Sequence, residues 1–340
     1  MKILITADPE LPVPPILYGG IERVVDMLVR GLVTQGHEVF LVAHRESKTA
    51  GTLIPYPGTD SRRWRDVWRN TMTVTRTALK VQPDIVHSFG RIAYLAPLLP
   101  FSLPKLMTYQ REVTPRSVWL GHRLSRGTLH FCAISDWMMQ ETRHLATWHR
   151  VFNGVPMATY DFVPAVPAEA PLVFLGRIEH IKGTHLAIDI ARRSGRRLII
   201  AGNIPEAHRD YFAREVAPHL DDDRVHYIGP VDDVQKNQLL GSAAAFLMPI
   251  LWEEPFGIVM AEALACATPV LGLRRGSVPE VVADGITGYV CDSAEALAAR
   301  VAVLALIDRA ACRARAEQLF SDDAIVEAYL DVYDQLINRR

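Results

Sequence analysis

Short β-branched runs alternate with helix-length amphipathic segments along the whole 340-residue chain, and the alternation halts once, in a proline-rich stretch near the middle. The first round holds strand candidates at residues 2–7 (KILITA), 38–43, 84–89, 105–110 and 130–135; the second holds 172–176, 197–202, 225–229, 245–250 and 269–273. Continuous apolar runs of this length, spaced by amphipathic helices, are what parallel strands need when crossover helices cover both faces of a sheet. A single core seldom grows past ~250–300 residues, so two rounds predict two doubly wound α/β domains. Pro156, Pro164, Pro167 and Pro171 make 156–171 a poor helix or strand and mark it as a linker. The expected division is 1–163, then 164–320, then a closing helix over 321–340 with Ile325, Tyr329, Val332 and Leu336 on its apolar face. Open parallel sheets bind ligands outside the carboxyl ends of their strands, so two such domains imply a ligand cleft between them.

No uninterrupted apolar run approaches the ~20 residues of a membrane span. The N-terminus MKILITADPE reads as a first strand rather than a signal peptide, which predicts a cytoplasmic protein. Cys132, Cys266, Cys291 and Cys312 stand singly, a pattern of buried reduced thiols rather than a zinc site or disulfide framework. The near-zero net charge hides an asymmetry: residues 1–163 carry 19 Lys+Arg against 13 Asp+Glu, and 164–340 carry 18 against 25. Overall neutrality and the lack of a recognised binding module argue against a nucleic-acid partner.

The segment LWEEPFGIVMAEALACATPV, residues 251–270, carries the strongest chemical signal. Ile258, Val259, Ala261, Ala263 and Leu264 suit a buried helix that Pro269 forbids to continue, and Phe256-Gly257 marks its start. Free N–H groups and the macrodipole make a helix start an anion site. Glu254 precedes it and Glu262 lies one to two turns inside, which places the two carboxylates on the order of 10 Å apart. The pair suits an extended anionic ligand with hydroxyls on both sides; equally, Glu254 can be a first-turn dipole partner and Glu262 an exposed helix residue. In LVFLGRIEHIKGTH, Gly176 closes a strand and Arg177 and Lys182 follow, two cations able to neutralise a diphosphate leaving group or simply to face solvent. Gly19-Gly20 open an earlier helix with Ile21, Val24, Val25, Leu28 and Leu32 on its apolar face and Gly36 as its stop, a second loop where phosphate can approach.

Taken together, GGIERVV, VFNGVP, GRIEHIKG, EEPFGIVMAEALACATPV and RRGSVPEVV resemble glycosyltransferase family 4, in order and over essentially the whole chain; the most specific element runs from Glu254 to Glu262. The resemblance implies the GT-B fold, two Rossmann-like domains facing across a cleft, with a last helix crossing back to the first domain. It also implies a retaining hexosyltransferase that uses a nucleotide sugar, a UDP- or GDP-sugar, with no metal or other cofactor. Carried over by position, Arg177, Lys182 and Glu254 are the catalytic candidates. Gly19, Gly20, Gly176, Phe256, Gly257, Ile258 and Glu262 are the donor-binding ones, with Glu262 on the ribose hydroxyls. His87, Gln110 and Arg111 are candidate acceptor or sugar contacts.

Two departures stand out: Gln110 occupies a position often His in the family, and Gly276-Ser277 replaces the commoner Gly-Gly. His87 reads equally as a ligand contact or a structural histidine, and Asp221-Asp222-Asp223 reads as a solvated cluster rather than a metal site. Residues 62–80 mix Arg62, Arg63, Arg65, Arg69, Arg76 and Lys80 with Trp64 and Trp68, and 116–127 continue the pattern. This fits an anionic membrane surface, an anionic acceptor, or a helix packed through its tryptophans. The acceptor expected for the first domain is a glycan, a lipid-linked molecule or a small molecule. A nucleotide-sugar epimerase and a non-catalytic nucleotide-sugar-binding protein are the rival readings.

Overall fold

The computed structural model describes residues 1–15, 19–221 and 223–338. It divides into two compact units, one of residues 1–154 with 322–340 and the other of residues 155–321.

The first unit holds a seven-stranded sheet: β1 (Lys2–Thr6), β2 (Glu38–Ala43), β3 (Thr52–Pro55), β4 (Ile85–Ser88), β5 (Lys105–Tyr109), β6 (Leu129–Ala133) and β7 (Trp148–Arg150). Their order is β3-β2-β1-β4-β5-β6-β7, every pair parallel, with Ile3 opposite both Val39 and Ile85. The second unit repeats the plan with β8 (Leu172–Leu175), β9 (Leu198–Ala201), β10 (Val225–Tyr227), β11 (Ala245–Met248), β12 (Val270–Leu273) and β13 (Gly288–Cys291), ordered β10-β9-β8-β11-β12-β13, again all parallel. In each sheet the chain's first strand is internal and the order reverses beside it, between β1 and β4 and between β8 and β11. Such reversal points are where open α/β sheets place ligands.

Burial explains which strands are legible. All four residues of β4 and of β11 are buried; β11 is the apolar run AFLM, while β4 joins Ile85 and Val86 to the buried polar residues His87 and Ser88. The sequence reading omits β3, β7 and β13, which lie at sheet edges. An edge strand pairs on one side only, so Thr52–Pro55 can carry a proline and Trp148–Arg150 can end in an exposed arginine without an orphaned ladder bond.

The helix Gly20–Thr34 buries Val24, Val25, Leu28 and Leu32, as its spacing predicts. The closing helix Asp322–Ile337 buries Ile325, Tyr329, Val332 and Leu336 within the first unit. Helix Trp64–Val81 corrects one reading: Trp64 is 73% and Trp68 59% exposed, so the helix does not pack through its tryptophans and buries Asn70, Thr71, Val74, Thr77 and Ala78 instead. Among the described residues no helix is long and apolar enough to cross a membrane. The four cysteines are free and buried.

The division falls after Gly154, nine residues before the expected point, and 156–171 is no loose linker along its whole length. Val155 N–H donates to Phe320 O at 2.8 Å. Helix Arg309–Leu319 then staples the next residues, with Arg313 donating to Tyr160 O at 2.8 Å and Arg309 to Val163 O at 2.8 Å. Proline spacing marks a segment that is neither helix nor strand; it does not reveal side chains far along the chain that bind its carbonyls.

Candidate functional site

At the β8/β11 reversal point two loops meet. The ladder continues past β8, with Gly176 N–H donating to Ala201 O at 3.1 Å, and the chain then turns outward through Arg177. Leu251 N–H donates to Ile181 O at 2.8 Å, and Gly183, at φ +74°, lies so close to Pro249 that a Cβ would fall 1.9 Å from its carbonyl oxygen. Only glycine permits both the left-handed turn and this approach. The stitching brings Lys182 Nζ to 2.6 Å from Glu254 Oε2. Trp252 Nε1 donates to the same oxygen at 3.0 Å, and the ammonium sits 4.9 Å from the Trp252 ring centroid. Arg177 pairs with buried Glu179 at 3.0 Å.

The acid loop is held from a third side. Gly276 N–H and the Arg275 guanidinium donate to Glu253, and Ser277 N–H donates to Glu254 O at 2.9 Å. Gly276 has φ +50°, and a Cβ there would lie 2.3 Å from Glu254 O, so the RRGS segment serves as a backbone clamp on the acids. Gly257 is the left-handed cap of helix Ile258–Ala265, and Phe256 is buried edge-on to Phe320 with ring centroids 5.6 Å apart. Met260 N–H donates back to Gly257 O at 2.9 Å, and by helix geometry the N–H groups of Ile258 and Val259, the first two residues of the helix, have no intrahelical partner.

Glu262 corrects the exposed-residue alternative: it is buried on that helix, and its Oε1 accepts from Tyr160 OH at 2.7 Å and from Lys236 Nζ at 2.6 Å. Within the second unit Gly176, Arg177 and Lys182 follow β8, and Glu254, Phe256, Gly257, Ile258 and Glu262 follow β11; Lys182 meets Glu254, and Tyr160 and Lys236 hold Glu262. Sequence reasoning missed Glu179, Trp252, Tyr160 and Lys236. The pair Lys236-Asn237, polar neighbours in an otherwise ordinary helix, is the only local signal that could have found the last of these.

In the first unit His87 is corrected. It is fully buried, with Nδ1 2.6 Å from Tyr333 OH and Nε2 2.7 Å from Thr108 Oγ1. Both ring nitrogens are engaged inside the fold, so His87 ties β4 to β5 and the closing helix and offers nothing to a ligand. Gln110 exchanges two amide bonds of 2.8 Å with Asn153, which anchors the end of the unit. Arg111 is exposed and its charge acts on Asp8. Asp8 is itself an unforeseen group: burial, then Glu10, push its carboxyl up to about 6. Gly19 precedes its helix with the Glu22 carboxylate 2.7 Å from where a Cβ would stand, and Gly20 is the first helical residue. Burial raises the Glu22 carboxyl. An anion nearing Gly19-Gly20 therefore meets a carboxyl group as well as helix N–H groups. The neighbouring residues 16–18 of the same motif lie outside the described residues.

Asp221 Oδ1 accepts the backbone N–H of Arg224 and those of Val225 and Asp223 at 3.1 Å each, and these bonds, Arg224's first, lower its carboxyl; Asp222 lies outside the described residues. The carboxylate thus closes a turn. Among the described residues no group of three His, Cys, Asp or Glu side chains is placed to hold a metal ion.

Burial lowers His87 to about 3. The folded value is depressed, so its contribution to stability is complete above ~6.5, the unfolded value, and is lost as pH falls toward 3 at about 1.4 kcal/mol per unit. A glutamine at this position does not titrate. The stability gap between wild type and His87→Gln is expected to shrink by about 2 kcal/mol from pH 6.5 to 5 in urea titrations. A gap independent of pH contradicts a neutral buried imidazole.

Comparison with known proteins gives two tandem matches. The family described as Glycosyl transferases group 1 matches residues 162–318, and Glycosyltransferase Family 4 matches residues 18–158. The chain is 27% identical to a glycogen synthase of Mycobacterium tuberculosis, over 91% of this chain and 88% of that protein. It is 35% identical to an alpha-maltose-1-phosphate synthase of the same species, over 54% of this chain and 56% of the relative. The solved structure of AviGT4, a glycosyltransferase involved in avilamycin A biosynthesis, aligns over 100% of this chain and 98% of its own, with TM-score 0.73 and 25% identity.

Proposed function

This chain belongs to glycosyltransferase family 4, with the GT-B plan of two parallel-sheet α/β units, and on that premise we propose that it moves a hexose from a nucleoside-diphosphate sugar to an acceptor hydroxyl, with retention and without a metal. It is a glycosyltransferase that uses a nucleotide-sugar donor; donor identity, retention and metal independence belong to the proposal.

One observation carries the reading: Lys182 and Glu254 meet at 2.6 Å beside the start of helix Ile258–Ala265, with Arg177 on the same loop. When the bond from the anomeric carbon to the leaving oxygen breaks, negative charge gathers on the diphosphate. Lys182 spends one of its three N–H donors on Glu254 and keeps others for a phosphate oxygen. The Arg177 guanidinium and the helix-start N–H groups supply further compensation in place. That is the electrostatic part a metal would otherwise supply. Glu254 then lies where a sugar hydroxyl can donate to it, and the acceptor hydroxyl attacks from the face the diphosphate leaves, passing its proton to the departing phosphate oxygen, which retains configuration. Docking of the first unit on anionic lipid through exposed Trp64 and Trp68 and their neighbouring arginines is part of the proposal, and cosedimentation with anionic vesicles tests it.

The test is incubation with a panel of UDP-, GDP-, ADP- and TDP-sugars, with water or an acceptor panel, in EDTA. Release of nucleoside diphosphate and an α-linked product from an α-linked donor supports the proposal. An altered sugar still bearing its nucleotide points to an epimerase, and tight binding without turnover points to a binding protein.

A further inference from the structure

The two site acids are held alike. Glu254 commits one oxygen to a lysine and an aromatic N–H, and Glu262 commits Oε1 to Lys236 at 2.6 Å and to the Tyr160 hydroxyl at 2.7 Å, with Lys236 Nζ 5.7 Å from the Tyr160 ring centroid. No described residue bonds Glu262 Oε2. Glu262 sits among Met260, Ala261, Ala263 and Leu264, all buried, so a carboxylate there needs a compensating donor. Satisfying the charge does not require the further apparatus that fixes the second donor. Asn237 Nδ2 donates to Asp161 Oδ2 at 2.7 Å, and Asp161 N–H donates to Asn237 Oδ1 at 3.0 Å. Arg313 holds Tyr160 O. Three bonds to residues of two helices thus set the place of one phenol.

The donors keep their protons. Burial favours a neutral Lys236, but Glu262 and then Asp233, 3.2 Å away, outweigh it and raise the ammonium's pKa. Burial, then the Glu262 charge, raises the Tyr160 phenol far above its ordinary value. Neither group can release Oε1 by titrating in the working range.

Building on the donor-site reading above, we propose that Lys236 and Tyr160 are positioning residues for the donor's ribose. They fill Oε1 of Glu262, so that Oε2 is presented in one orientation as acceptor for the vicinal hydroxyls, and the site reads a ribonucleotide in preference to its 2′-deoxy counterpart. A hydrogen bond to a charged group contributes roughly 1.5–3 kcal/mol, or about 10- to 100-fold in affinity, and a carboxylate free to rotate forfeits part of it.

The experiment is calorimetric titration of UDP, GDP and ADP and their 2′-deoxy forms into wild type, Glu262→Gln, Lys236→Met, Lys236→Arg and Tyr160→Phe, with steady-state kinetics and thermal melting on each. For the best-bound ribonucleotide, Lys236→Met is expected to weaken affinity about 10-fold or more and Tyr160→Phe several-fold. Donor KM is expected to rise in step while kcat changes less than about threefold. The ribose preference should fall toward unity, and Lys236→Arg should recover most of the loss. A structural role alone would lower the melting temperature and leave KM and the ribose preference in place. If Glu262→Gln binds weakly while Lys236→Met and Tyr160→Phe bind as wild type does, the positioning proposal is overturned and the donor reading stands. If Glu262→Gln also binds as wild type, the ribose role of Glu262 falls and the proposal with it. Should Lys236→Met fail to fold, Tyr160→Phe, which removes a single oxygen, decides the matter.

Discussion

Lys182→Ala is expected to lower kcat for donor cleavage by about 10²–10³ while the protein stays folded. The ammonium is 2.6 Å from Glu254 and over the Trp252 ring, with its side chain 18% exposed, so the substitution opens a small, wettable space rather than a core cavity. Glu254 retains its bond from Trp252 Nε1 at 3.0 Å, which holds the carboxylate near its place. What is lost is a positive charge aimed at the departing diphosphate, an interaction that strengthens as the bond breaks. The effect should therefore fall on kcat more than on donor KM. Lys182→Arg should rescue poorly, because a planar guanidinium cannot place its donors as a compact ammonium does on both the carboxylate and a phosphate oxygen. A kcat within threefold of wild type, with the variant's melting curve intact, would remove Lys182 from the chemistry.

Arg309→Met is expected to destabilise the second unit by about 3–5 kcal/mol, measured by urea unfolding. Methionine keeps much of the apolar volume, but Arg309 is only 9% exposed and its guanidinium donates to four oxygens: Val163 O, Ala243 O and Gly241 O at 2.8, 2.9 and 3.1 Å, and Thr268 Oγ1 at 2.9 Å. Burial lowers its pKa, and three carbonyl oxygens and one hydroxyl oxygen take its donors. Removal leaves several buried acceptors without donors, each at a cost of about 1–3 kcal/mol before water enters. The loss should spread along the chain. Val163, which Arg309 holds, lies three residues beyond Tyr160 in the same tied-down segment, so this variant should also weaken nucleoside-diphosphate binding through Tyr160 and Glu262. A loss below 1 kcal/mol would mean that water replaces the guanidinium at no great cost.

The sheets were legible because parallel strands buried on both faces must be apolar throughout. β1, β4, β8 and β11 announce themselves as KILIT, IVHS, LVFL and AFLM, and these central strands carry the loops of the sites. Of the four edge strands β10 was read and β3, β7 and β13 were not; a strand with one neighbour can afford Pro55 or Arg150. The second-unit site was legible to the extent that its residues are close in sequence. Glu254, Gly257 and Glu262 share one strand-to-helix turn, and Arg177 and Lys182 share another. Trp252 and Glu179 stand two residues from Glu254 and Arg177, but the other supporting groups lie 23 to 102 residues from what they support: Gly276 on Glu253, Ser277 on Glu254, Lys236 and Tyr160 on Glu262. No local periodicity records a contact across such separations. His87 shows the converse failure. A histidine at the carboxyl end of a central strand looks like a ligand contact until the closing helix, 246 residues later, is seen to bring Tyr333 onto its Nδ1.

The most direct measurement is a crystal structure of the chain with whichever of UDP, GDP or ADP binds most tightly in calorimetry. The account predicts the diphosphate within hydrogen-bond distance of Lys182, Arg177 and the first N–H groups of helix Ile258–Ala265, and a ribose hydroxyl on Glu262 Oε2. A nucleotide bound at any other sheet edge, with the pair of Lys182 and Glu254 undisturbed and no ligand beside it, would contradict it.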